Sequence, residues 1–148
     1  MYRNLRNILI SGIAGVVMVH CGSGQVKLQD HMVFNEKIAF KQDKARLAES
    51  AHRQLDKIYK LLKAHPEAKY EILCYVYSTS DSLSNSFLAG RRAKKVKKYF
   101  VRKGINYKRL VPRGYGNTRP VLNPNGGIDM EKSNRVEFKR LPLDTPGP

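Results

Sequence analysis

Two apolar stripes at helical spacing, separated by a strand-like run, constrain this chain more than any other feature. From Asp43 to Ala64, the positions Leu47, Ala51, Leu55, Ile58, Leu61 and Leu62 recur with the period of an amphipathic helix. In the second stripe Leu88, Ala89, Ala93, Val96, Tyr99 and Phe100 fall within an arc of roughly 140° on a wheel of about 100° per residue. Pro66 in "HPEAK" ends the first helix, because it lacks a donor and restricts His65. Gly104 stands where a helix C-cap is expected, so the second helix is predicted over roughly Asn85 to Lys103. Each helix has one face to bury.

The remaining segments supply the surface for that burial. "HMVFNEKIAF" alternates unevenly, as a first or edge strand does, and "KYEILCYVY" is a strong strand candidate. "RLVPRGYGNTRPV" reads as a short strand passing into a Gly/Pro loop, and "NRVEFKRL" as a last strand of alternating polarity. The order is strand, helix, strand, helix, strand, loop, strand. It predicts an α+β two-layer sandwich: one mixed four-stranded sheet with both main helices on one face. At 148 residues there is room for one ordinary domain.

Lys and Arg number 28 against 12 acids, a formal charge of +16, so the chain favours anionic partners. The first 21 residues temper what those partners are. Arg3 and Arg6 precede a mostly apolar run from Ile8 to Val19, the layout of an export signal and too short to span a bilayer comfortably. The run ends on Cys21, followed by Gly22, Ser23 and Gly24, and resembles a bacterial lipoprotein signal in which that cysteine is lipidated. Met18 and His20 depart from that pattern, and an ordinary secretory signal or an uncleaved anchor is the alternative. Export argues against nucleic acid as the partner, despite the charge. Cys74, in an apolar run, reads as a small buried hydrophobe.

Catalysis finds little support. His20, His31, His52 and His65 have no metal-ligand spacing, no Ser, His and acid constellation assembles, and Gly114 and Gly116 lie in no phosphate-binding pattern. No enzyme activity, cofactor or metal is expected.

Arg92 is the exception on the second helix. It falls inside the apolar arc, at about 40° on the wheel, whereas Arg91, Lys94, Lys95, Lys97 and Lys98 fall outside it. An inward guanidinium needs a partner, either an internal carboxylate or carbonyl, or an anionic ligand in a pocket. The outer cations belong to a span from Ser82 to Ile128 with twelve Lys and Arg and no acid. Arg91, Lys94, Lys95 and Lys98 are therefore either a solvated face or a docking face for an acidic partner.

"NSFLAGRRAKKVKKYFVRKGI", "RGYGNTRPV" and "NRVEF" together resemble the OmpA-like peptidoglycan-associated domain family. Asn85, Leu88, Arg91, Arg92, Ala93, Val96, Tyr99, Gly104 and Ile105 match its first motif. Arg113, Gly114, Gly116 and Pro120 match the second, and Arg135, Val136 and Glu137 the third. Phe40, Asp43 and Leu47 resemble its approach to the first helix. The resemblance implies the predicted fold for the domain at 33–141; the residues themselves read as a signal at 1–21, a tether at 22–32 and a flexible tail at 142–148. The resemblance also implies a non-catalytic grip on the peptide stem of peptidoglycan. In the family an Asp at a strand end pairs the diaminopimelate ammonium, and the second Arg of the R-R-A motif, here Arg92, binds its carboxylate.

Counting back without a gap, the family's Gly, Thr and Asp fall on Cys74, Val76 and Tyr77. Tyr77 is thus the departure, because a phenol is neutral near pH 7. Asp81, four residues on, is a candidate substitute acid. The site expected from the resemblance is Tyr77, Asp81, Asn85 and Arg92, degenerate at Tyr77. Ala89 and Gly90, replacing a Ser and a polar residue of the motif, weaken the expected helix start. Two functions follow: a structural subunit of an envelope complex, such as a secretion-system outer-membrane core or a flagellar collar, with weak or lost peptidoglycan binding; or a true peptidoglycan anchor using Arg92 with Asp81. In both, the periplasmic face of the outer membrane, through lipid on Cys21, is the expected location.

Overall fold

The computed structural model describes residues 33–78 and 81–142. The expected signal, Cys21, the tether and the tail from 143 onward lie outside the described residues. The order is β1 (Val33–Glu36), α1 (Ala51–Ala64), β2 (Lys69–Tyr75), α2 (Ser82–Arg102), a 3-10 turn (Tyr107–Arg109), β3 (Leu110–Gly116), α3 (Met130–Ser133) and β4 (Arg135–Leu141). The architecture is α+β, and the strands order β1-β4-β2-β3 in a mixed sheet. β4 runs antiparallel to both β1 and β2, while β2 and β3 are parallel, which requires a crossover that α2 supplies.

Side-chain alternation decides where the core lies. Tyr70, Ile72, Cys74 and Val76 along β2 and its exit share one buried cluster with Leu110, Val136 and Phe138. The same cluster holds Ala51, Leu55, Ile58 and Leu62 of α1 and Ala89, Ala93, Val96 and Phe100 of α2, so both helices bury their stripes against one face. Leu73 and Tyr75 are also buried, which makes β2 apolar on both sides, as an inner strand is. Among the described residues no helix is long and apolar enough to cross a membrane.

Three expectations need correction. The first helix starts at Ala51, and residues 40–47 form a separate turn. Asp43 adopts φ 51°, Lys41 N donates to Arg46 O at 2.8 Å, and Leu47 pairs with Phe40 across a bridge. A left-handed residue cannot continue a helix. Leu61 is exposed, because the buried row is Leu55, Ile58 and Leu62. The second helix begins at Ser82, earlier than expected, because Asp81 caps it. Its other end is as the glycine suggests: Gly104 takes φ 91°, and Ile105 N donates to Phe100 O at 3.1 Å.

Gly114 is a strand residue under the helix rather than a turn residue. A Cβ on it would lie 2.3 Å from Gly90 N and 2.7 Å from Gly90 Cα. The missing side chain at Gly114 thus lets β3 approach the α2 backbone at Ala89 and Gly90, whereas a Cβ on Gly90 itself would meet nothing within 4 Å. The two ends of α1 and β3 are joined by Arg109, which donates from Nε to Ala68 O at 2.8 Å and from one terminal nitrogen to Leu62 O and His65 O at 2.9 and 2.6 Å. Those carbonyls lie at or just beyond the C-terminus of α1, where a cation also meets the negative end of the helix dipole.

Candidate functional site

Arg92 is only 8% exposed, on the inner face of α2, so its wheel position is realised, and Arg91 beside it is exposed. Its Nε donates to Lys44 O at 3.1 Å, and its guanidinium lies over the Phe40 ring at 4.7 Å from the centroid. The turn at 40–47 thus takes up one edge of the cation and stacks on its plane. Among the described residues Arg92 has no other hydrogen bond and no ion pair. Burial pushes its pKa down, and Cys74 and Asp43 oppose that shift. Burial also raises the Cys74 thiol to about 12, so it is neutral at pH 7.

The same guanidinium lines a cavity of ≈ 350 Å³ at the end of β2, walled by the 37–43 segment on one side and by Glu131, Asn134 and Arg135 on the other. Tyr77 lies in that lining, and its backbone is fixed from both sides: its N–H donates to Asn134 Oδ1 at 3.1 Å and its carbonyl accepts from Asn134 Nδ2 at 2.8 Å. Most charges around the cavity are spent on one another. Glu131 pairs with Lys37. Arg135 pairs with Glu137 at 2.7 Å, donates to Arg119 O and covers the Tyr75 ring at 4.0 Å. Asp43 is different. It is exposed, lines the cavity and is in no ion pair among the described residues.

The structure brings together Tyr77 and Arg92 but not the other two expected site residues. Asp81 is absent from the described lining of the cavity; its Oδ1 accepts from Ser84 N at 2.9 Å and its Oδ2 from the Ser84 hydroxyl at 2.7 Å. Those hydrogen bonds hold its carboxyl below the usual Asp value. Asn85 is buried, accepts from the Ser78 hydroxyl at 2.7 Å, and braces the β2–α2 loop against the helix. Asp43 is the residue that the sequence reading used only as a motif match. Its left-handed turn, which carries it to the cavity mouth, has no pattern in the sequence. The outer cations Arg91, Lys94, Lys95 and Lys98 are all exposed.

No described group of three or more His, Cys, Asp or Glu side chains could hold a metal. The cavity presents one buried guanidinium bonded along a single edge, a phenol, and at its rim a carboxylate in no ion pair among the described residues. The fold and site define an α+β domain with an arginine-lined cavity at the end of β2. Residues 39–135 match the OmpA family, and the chain belongs to that family.

Its relatives differ in context. It is 31% identical over 101 residues to the peptidoglycan-binding protein ArfA of Mycobacterium tuberculosis, covering 68% of this chain and 31% of that protein. It is 30% identical over 116 residues to the photosystem I P700 chlorophyll a apoprotein A2 of Gloeobacter violaceus, covering 72% of this chain and 13% of that protein. Among solved structures, a MotB-like protein from Desulfovibrio vulgaris superposes with TM-score 0.63 at 24% identity, covering 74% of this chain and 72% of that one. The chain thus spans under a third of the length of these curated relatives.

Proposed function

We propose that this chain is a non-catalytic envelope protein whose Arg92 cavity takes the carboxylate end of the peptidoglycan stem peptide weakly, and that it serves as a structural subunit of an envelope-spanning complex. A secretion-system outer-membrane core or a flagellar collar is the kind of assembly we have in mind. In this reading residues 1–21 are an export signal, Cys21 carries the lipid that holds the chain to the periplasmic face of the outer membrane, residues 22–32 are a tether, 33–141 the binding domain and 142–148 a tail. The carrying observation is the mismatch inside one cavity. Arg92 offers unpaired donor edges suited to a carboxylate, while Tyr77, at the family's acidic position, offers no charge to an ammonium. The name of the ArfA relative supports peptidoglycan as the ligand class.

An ammonium left unpaired in a partly desolvated pocket costs about 3 kcal/mol, roughly a hundredfold in affinity. Sedimentation with purified sacculi and titration with a diaminopimelate stem peptide test this. Weak native binding that strengthens about a hundredfold in Tyr77→Asp supports the reading. Tight native binding overturns it and favours a second reading, a true wall anchor. Asp43 favours that second reading through its place on the cavity, and Asp43→Ala would then abolish binding. Asp81, proposed above for the same role, would have to surrender both hydrogen bonds to Ser84, so Asp81→Ala serves as the comparison.

A further inference from the structure

The face of α2 turned away from the core carries more than charge. Leu83 and Phe87, one turn apart, are each 71% exposed, the two most exposed large apolar side chains of the described residues. At about 100° per residue, Leu83, Phe87, Arg91, Lys94 and Lys98 fall within an arc of about 80°, centred opposite the buried row of Arg92, Ala89, Val96 and Phe100. The stripe runs about 22 Å along the helix, at about 1.5 Å per residue. It opens with two apolar side chains and continues with three cations.

Those cations find no acid in the fold. Arg91, Lys94 and Lys98 are in no ion pair among the described residues, while Lys103, on the next turn but facing α1, pairs with Asp56. Lys97, off the stripe, lies over the Tyr107 ring at 5.7 Å. The available acids serve other faces, and the stripe is left with like charges that repel one another. Exposed apolar anchors beside a charged rim have the composition of an interface core and its margin.

Three occupants compete for such a stripe. A second copy of this chain fits poorly in either direction. Parallel α2 helices would set cation against cation, and antiparallel ones would set Phe87 against Lys94 and Arg91 against Arg91. A membrane surface takes an amphipathic helix along its whole apolar length, whereas here the large apolar residues fill only the first two turns of α2. An acidic helix of another protein satisfies both halves, with apolar residues at one end meeting Leu83 and Phe87 and carboxylates at helical spacing meeting Arg91, Lys94 and Lys98.

We infer that the Leu83–Lys98 stripe of α2 is a docking surface for an acidic amphipathic helix of a partner protein in the envelope. This rests on the subunit reading and names the partner chemistry of its cationic face. A single helix pair of this length lies below the roughly 1,200 Å² of a standard interface, so the contact is salt-sensitive and works alongside other contacts in an assembly.

The test places a photo-crosslinking amino acid at Phe87 of the full chain, in the bacterium that makes it, and identifies the adduct and the crosslinked peptide by mass spectrometry. The expected result is an adduct to a Glu- or Asp-rich helical segment of another envelope protein. Lys94→Glu with Lys98→Glu should reduce the adduct at least tenfold, while circular dichroism of the purified variant stays unchanged. Adducts to lipid alone, to a second copy alone, or to no partner would overturn the inference. So would an adduct indifferent to the charge reversal. Co-fractionation of the native chain in a large envelope complex tests the parent reading separately. An intact complex with no adduct sinks the stripe alone, and an adduct to a lone partner without a complex sinks the subunit reading alone.

Discussion

Replacing Gly114 with alanine should damage the fold and the cavity together, although the change adds one methyl group. The new Cβ would lie 2.3 Å from Gly90 N, 2.7 Å from Gly90 Cα and 2.9 Å from Ala89 C. Favourable carbon contacts begin near about 3.5 Å, so α2 must recede from β3 by roughly 1 Å. The obstructing atoms are all backbone, and no rotamer change relieves them. Overpacking of this kind costs about 1 to 3 kcal/mol, and we expect the upper end, near about 3. Arg92 is two residues beyond Gly90, and its bond to Lys44 O is already 3.1 Å, so the same recession breaks it. Gly90→Ala is the control. Nothing lies within 4 Å of a Cβ built there, and alanine in a helix interior gains up to about 1 kcal/mol over glycine. Urea denaturation with an unchanged m-value measures both. A Gly114→Ala loss below about 0.5 kcal/mol, or a Gly90→Ala loss equal to it, would refute the close-approach argument.

Other outcomes follow from single contacts. Arg92→Ala should cost about 2 to 4 kcal/mol through the lost charge-assisted bond to Lys44 O and the lost stacking on Phe40, whereas Arg91→Ala stays within about 0.5 in the same titration. Arg109→Met should cost about 2 to 3 kcal/mol, because it orphans carbonyls at Leu62, His65 and Ala68, and amide exchange should speed up in the last turn of α1. Cys74, raised to about 12 by burial, should resist iodoacetamide at pH 8 in the folded domain and react in urea; equal rates in both states would contradict its buried position. Asp56 is held below its ordinary 3.8 by hydrogen bonds first from Lys103 and then from Tyr99. Its contribution to stability is therefore present above that value and fades as pH falls through the lower folded value, and Asp56→Asn should flatten the acid limb of a pH–stability profile.

How much of this was legible in the sequence depended on the range of the interaction that decides each feature. The buried row of α2 and the inward turn of Arg92 follow from periodicity, which is local, and the wheel located both. Gly104 announces its own positive φ for the same reason. Even the start of α2 carried a signal, since Asp81 before "SLS" is a good N-cap, but reading Asp81 as a substitute acid diverted it from that role. Features made by distant segments left no such trace. Gly114 looks like a turn glycine until Gly90 is laid against it, and Arg109 gives no hint that it reaches carbonyls 41 to 47 residues away.

Asp43 shows the consequence for the site. The apolar positions after it continue at helical spacing, so periodicity ran the first helix through it. The hydrogen bond from Lys41 N to Arg46 O and the pairing of Phe40 with Leu47 instead close a turn. That turn does two things at once: it supplies Phe40 and Lys44 O to the guanidinium, and it sets the Asp43 carboxylate at the rim of the same cavity. Arg92 is therefore both partly satisfied by the fold and partly available to a ligand, two roles that the sequence reading treated as alternatives. A cation satisfied along one edge keeps its orientation without surrendering its remaining donors, and that is how a buried arginine can hold a structure together and still recognise a carboxylate.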